Sequence, residues 1–233
     1  DPDVAERERD AIFANSWQWV GHASDVAEAG NYFTASIAGE RIFVIRDTEG
    51  ELRAFFNVCL HRGHSLLEGS GKLDGLITCP YHAWVYESTG ALKGARMSER
   101  MPDFDVADFR LGDVAVENFC GFIFVHLGEA PEAMDTCYPG LSEAVSALHQ
   151  NPDTLSLARD STFDIAGNWK NVGDNLLECY HCHPTHKDFV DLIDMSAYRN
   201  DTFERWSIQT GPASTGNGVY EVTSGAAGFT SAF

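Results

Sequence analysis

The chain has 233 residues, 44% of them hydrophobic, enough for one large core or two modest ones, and its formal net charge is -19. That charge argues against nucleic acid as a partner, because a phosphate backbone rewards Lys and Arg. It suits cationic ligands, or simply a well-solvated surface. No run approaches 18 consecutive apolar residues, so no transmembrane helix is expected.

In chain order, the first expected element is a short helix over residues 3–15. It lies in an acidic, polar segment without the basic-then-apolar pattern of a secretory signal, which points to the cytoplasm. From SWQWV onward the pattern turns to strands: YFTASI, RIFVI and LRAFFNV, with Gly39 and Gly50 at turns, then LITC, WVYE, DVAVEN and FIFVHL. Short strands at this spacing predict a small antiparallel sandwich or barrel that ends near Leu127. GEAPEAMDTCYPG reads as a linker and GLSEAVSALHQ as a connecting helix, while LARDSTFDIAG is a further strand candidate. NWKNVGDNLLECYHC gives the strongest helix signal. There Trp169, Val172, Leu176 and Tyr180 share one face and Asn168 stands as N-cap. The Gly-, Ser- and Thr-rich tail from Gly211 reads as loop with one short strand.

Two stretches carry chemistry. The first is NVCLHRGHSLLEG followed by TCPYHAWVYESTGAL, in which Cys59 and His61 face Cys79 and His82 across seventeen residues, 62–78. Cys59 and His61, two apart, point the same way from an extended strand end. Pro80 stiffens the turn between Cys79 and His82, and Gly63, Gly69, Gly71 and Gly75 let the chain double back. Structural zinc sites cluster like ligands in C-x2-C or H-x3-5-H pairs. Here each arm brings one Cys and one His, the arrangement of a Rieske [2Fe-2S] cluster with two thiolates on one iron and two imidazoles on the other. With four ligands present, His64 is a loop residue, and Trp84 and Tyr86 pack against the loops. Neither loop holds a spare Cys for a bracing disulfide, which sets the potential at the low end of the Rieske range. The six cysteines, Cys59, Cys79, Cys120, Cys137, Cys179 and Cys182, need no disulfide framework in a chain of this size and imply a reducing compartment.

The second stretch is NWKNVGDNLLECYHCHPTH. Asn171, Asp174, Asn175, Glu178, His181 and Cys182 form a polar stripe opposite the apolar face, costly on a core helix unless it has a use. His181 and His186 would stand roughly 140° apart on an unbroken helix. Pro184 breaks it, so that the two histidines, with Glu178 on the same side, converge on one ion. Two histidines awaiting a carboxylate match the facial triad of oxygen-activating mononuclear iron. His183 reads as a surface residue.

With both motifs in this order and separation, the sequence resembles the α subunits of Rieske non-heme iron oxygenases over essentially its whole length. DNLLECYHC, with Glu178 where ring-hydroxylating members place Asp, makes it most similar to the monooxygenases of carnitine, choline and glycine betaine. The resemblance implies an α+β chain: a helical segment over 1–16, an all-β Rieske domain over 17–128, and from 129 to 233 the beginning of a catalytic domain of antiparallel sheet and helices. It implies a homotrimer fed by a separate reductase carrying flavin and iron–sulfur centres and using NAD(P)H, with O2 and a small cationic substrate. It implies Cys59, His61, Cys79 and His82 on the cluster, and His181 and His186 on Fe(II). Glu178 would link His181 to His82 of a neighbouring subunit, and Asn175 would sit beside the open coordination position. The family's third iron ligand is an Asp far downstream. Asp188, Asp191 and Asp194 follow too closely to be assigned, and the carboxylate is expected beyond residue 233. Two other readings remain open: an aromatic-ring-hydroxylating dioxygenase α subunit, and a Rieske electron carrier, for which the polar stripe would have no use.

Overall fold

The computed structural model describes residues 1–148, 151–157, 160–214 and 228–232. By contacts the chain forms two compact units, Asp1–Met134 with Asn151–Leu157, and Asp135–Gln150 with Ala158–Phe233.

The first unit opens with helix α1 (Pro2–Glu8), capped by the Asp1 side chain, which runs into a π-helical turn over Arg9–Phe13. Strands β1 (Gln18–His22), β2 (Asn31–Ile37), β3 (Glu40–Arg46), β4 (Leu52–Phe56), β5 (Ser70–Lys72), β9 (Asp113–Phe119) and β10 (Phe122–His126) form one antiparallel sheet in the order β1-β10-β9-β4-β3-β2-β5. A second sheet of β6 (Leu76–Thr78), β7 (Val85–Glu87) and β8 (Leu92–Gly94) carries the other ligand loop.

The run Ile42-Phe43-Val44-Ile45 in β3 is completely buried, although a strand with one wet face would alternate. Its two faces serve two cores. Phe43 and Ile45 pack with Phe55, Tyr86, Cys59 and Cys79, while Ile42 and Val44 pack with Ala54, Val114, Ile123 and Val125. At about 1.5–3 kcal/mol for each large side chain buried, the first core fixes the ground on which both ligand loops stand. The turn between β7 and β8 needs Gly90, whose φ is +91° and where a Cβ would come 2.5 Å from the Phe55 ring.

The second unit holds α3 (Leu141–Leu148), which follows the short α2 (Met134–Cys137), then α4 (Trp169–Leu176), α5 (Cys182–Thr185), α6 (Lys187–Leu192), and a sheet of β11 (Arg199–Thr202), β12 (Ser207–Pro212) and β13 (Gly228–Ala232) in that order. The strand expected within LARDSTFDIAG does not form over residues 160–165. The loop expected in the tail lies at 215–227, outside the described residues. No described helix is long and apolar enough to cross a membrane.

Candidate metal centres

The two Cys/His arms are built alike. In the first, the Cys59 N–H donates to the His64 carbonyl at 2.8 Å and the Gly63 N–H returns to the Cys59 carbonyl at 2.8 Å. In the second, the Cys79 N–H donates to the Trp84 carbonyl at 2.8 Å and the Ala83 N–H returns to the Cys79 carbonyl at 3.0 Å. Each loop therefore closes around its cysteine through a left-handed residue four positions on, Gly63 at φ +70° and Ala83 at φ +56°. This corrects the expectation of an extended strand end at Cys59. β4 stops at Phe56, and a tight turn over residues 60–62 presents His61.

The result is a layered donor set. Cys59 and Cys79 are buried, His61 is exposed and His82 half-buried, and the two imidazoles have ring centroids 4.6 Å apart at 78°. Burial pushes the Cys59 thiol up, partly offset by the Tyr86 hydroxyl and the His61 amide, so a bound cation is what would turn it to thiolate. Desolvation, with the charges of His61, Arg62 and His64, holds His82 below the usual imidazole range, in the neutral form that binds metal. Two soft thiols inside and two imidazoles at the rim fit a [2Fe-2S] group half sunk in the protein. His64 bonds to the Ser65 carbonyl at 2.7 Å, as befits a loop residue.

Around the second motif, Asn168 caps α4 by accepting from the Lys170 N–H, as expected. The helix then stops at Leu176, eight residues before the expected break at Pro184. The Leu176 carbonyl accepts from the Gln209 amide at 2.5 Å, and the Leu177 carbonyl from the Asn200 amide at 2.6 Å. Those side chains on β12 and β11 satisfy the helix's orphan carbonyls and end it. Pro184 lies in the first turn of α5, where its missing N–H costs nothing. Glu178, His181 and Cys182 are consequently not a stripe on α4 but a turn beyond it.

Within that turn His181 Nδ1 lies 2.6 Å from Glu178 Oε1, and the Tyr180 N–H also donates to Glu178. Those bonds, His181 first, hold the Glu178 carboxyl below its usual range. An ionised Glu178 selects the tautomer with the proton on Nδ1, leaving the lone pair of His181 Nε2 free to bind a metal. His181 and His186, at either end of the single-turn α5, have ring centroids 5.1 Å apart. Both line a cleft of about 690 Å³ with Asn175, Glu178, Phe189 and Tyr198. Two imidazoles, one of them backed by a carboxylate, supply two of the ligands of a divalent ion. Among the described residues no group of three His, Cys, Asp or Glu converges on one point. His183 is exposed, as expected.

Residues 16–108 match the Rieske [2Fe-2S] domain family, and residues 152–231 match the ring hydroxylating alpha subunit (catalytic domain) family. The chain is 39% identical to the carnitine monooxygenase oxygenase subunit of Acinetobacter baumannii over 89% of its own length, spanning 56% of that protein. It is 37% identical to the glycine betaine monooxygenase oxygenase subunit of Chromohalobacter salexigens over 83% of its length and 43% of the relative's. Its fold matches a crystal structure of a quaternary ammonium Rieske monooxygenase in complex with L-carnitine at a TM-score of 0.85 and 39% identity, covering 90% of this chain and 59% of that one. The chain belongs to the Rieske non-heme iron oxygenases.

The two matched domains of this oxygenase family are those of the Rieske cluster and the mononuclear iron, in the order the two motifs gave. Several contributors escaped sequence reasoning. The hydroxyl of Tyr86 lies 3.3 Å from Cys59 Sγ and accepts from the Leu60 N–H at 3.0 Å, so the sulfur has a hydrogen-bond partner that the loop sequence did not reveal. Asn200 and Gln209 hold the chain reversal after α4 from strands that carry no motif. Cys179 and Cys182 form a disulfide, contrary to the expectation of none. The C-x2-C spacing was its only signal, hidden because both cysteines flank His181.

Proposed function

We propose that this chain contributes the cluster and the iron-ligand pair of a Rieske monooxygenase that hydroxylates a quaternary ammonium substrate of the carnitine, choline or betaine type, whose hydroxylated N-alkyl carbon then releases the amine. In this reading residues 1–16 precede a Rieske domain over 17–128, with catalytic residues from 129 to 233. Cys59, His61, Cys79 and His82 hold the cluster; His181 and His186 hold Fe(II). When bound, the two groups would supply electrons and O2 activation for attack on a C–H bond.

The observation that carries the reading is the 2.6 Å bond from His181 Nδ1 to Glu178. It orients the imidazole, fixes its tautomer and raises its basicity toward metal, the work of a residue behind a metal ligand. A carboxylate accepts from two imidazole N–H groups at once, so Glu178 also has capacity for His82 of a second copy. Electron transfer needs proximity, and such a contact in a homotrimer supplies it. Asn175 and the aromatic faces of Phe189 and Tyr198 line the same cleft, and aromatic faces suit a trimethylammonium head. The oxygenase would be cytoplasmic and take NAD(P)H electrons through a separate flavin and iron–sulfur reductase.

In the intact oxygenase with its reductase, Glu178→Gln should keep cluster and iron but lower product from carnitine, choline or glycine betaine by about 100-fold. A pre-reduced cluster should fail to reoxidise when substrate and O2 are added. Normal reoxidation coupled to product would end the bridging role, and turnover of arenes in place of betaines would overturn the substrate class.

A further inference from the structure

Trp84 lies two residues beyond His82, yet its side chain serves the opposite arm. Its indole stacks on the His61 imidazole with ring centroids 5.0 Å apart and planes 11° from parallel. The indole is itself wedged edge-on against Phe104 at 5.7 Å and Phe109 at 6.0 Å, two rings that stack on each other at 4.8 Å. Its backbone carbonyl receives the Cys79 N–H at 2.8 Å. Trp84 is thus anchored to the cysteine of one arm and lies flat against the histidine of the other.

His61 has no comparable support. Among the described residues no hydrogen bond reaches its ring nitrogens. The torsion that sets an imidazole plane is broad and gives little preference of its own. His82 meets it only edge-on, at 4.6 Å and 78°. The stack is what defines the ring plane.

Resting on the assignment of Cys59, His61, Cys79 and His82 to the cluster, we propose that Trp84 is a positioning residue that fixes the His61 imidazole plane and, through its electron-rich face, lowers the reduction potential of the cluster. An imidazole on a ferric ion is electron-poor, and an aromatic face attracts positive charge. The added electron resides on the histidine-ligated iron and makes that ring less positive, so the stack favours the oxidised form. Removing the indole therefore raises the potential, and the effect is confined to His61 because the indole stacks on that ring, whereas the aromatic neighbour of His82 is Tyr81, with ring centroids 3.8 Å apart and planes tilted by 37°.

The test uses the cluster-loaded protein and two variants, Trp84→Leu and Trp84→Phe. Potentials come from a redox titration, and the histidine nitrogen couplings from electron–nuclear double resonance of the reduced cluster. In Trp84→Leu we expect a higher potential and a change in one histidine nitrogen coupling with the other unmoved. Trp84→Phe, whose ring has a weaker face, should shift the same way by less. A parental potential with parental couplings in Trp84→Leu overturns the proposal. So does a shift of both couplings together, which would mean general wetting of the cluster. If Trp84→Leu does not retain its cluster, a Trp84→Phe protein at the parental potential overturns it instead. A parent protein without a Rieske signal would sink the ligand assignment rather than the stack.

Discussion

Tyr86 is fully buried, and burial together with Cys59 drives its phenol far above the ordinary tyrosine range, so it remains a hydrogen donor at every working pH. Its hydroxyl stands 3.3 Å from Cys59 Sγ. A donor to a cluster sulfur stabilises the negative charge gained on reduction, which raises the potential. Tyr86→Phe keeps the ring in its core and removes only that bond. The potential should fall, and the Leu60 amide loses its acceptor at a cost of about 1 kcal/mol. A redox titration that finds the potential unchanged or raised would mean the hydroxyl does not reach the sulfur in the loaded protein. That Tyr86 packs here was legible from WVYE, since a strand alternates its faces. Its bond to a sulfur 27 residues away was not, because loop closure decides that contact rather than local pattern.

The two ligand loops repeat one hydrogen-bond scheme but differ at the left-handed position, glycine in one and Ala83 in the other. For a residue with a Cβ that conformation costs about 1–2 kcal/mol, which glycine avoids. Ala83→Gly should therefore stabilise the cluster-loaded protein by about 1 kcal/mol, a rise in Tm of roughly 2–4 °C. A Tm equal to or below the parent's would show that the methyl group offsets the strain through its packing. Neighbouring elements show how far sequence reaches at this scale. The cap at Asn168 was readable because it acts on Lys170, two residues away. The end of α4 was not, because Asn200 and Gln209 lie 23 and 33 residues beyond the carbonyls they take. Proline offered a nearer explanation for the same convergence of His181 and His186, and it was the wrong one.

Across the whole molecule the two centres are written in separate stretches, Cys59 to Tyr86 and Asn168 to Gln209, that share no element. His181→Ala or His186→Ala should therefore cost the mononuclear iron and leave the cluster's visible and EPR spectra intact, with His183→Ala retaining both. Iron analysis beside the spectra checks this, and a cluster bleached by either substitution would show that the ligands are wrongly divided. The α+β class and the approach of His61 to His82 and of His181 to His186 were legible because motif spacing and strand periodicity are local. The double-sided burial of β3 was visible only as an unbroken apolar run, which does not say what covers each face. The capping of the end of α4 from β11 and β12 bears on engineering. A library that randomises residues 175–186 to change substrate would leave its scaffold, Asn200 and Gln209, fixed outside the window. Its productive members would be limited to sequences whose chain reversal still offers the Leu176 and Leu177 carbonyls to those two amides.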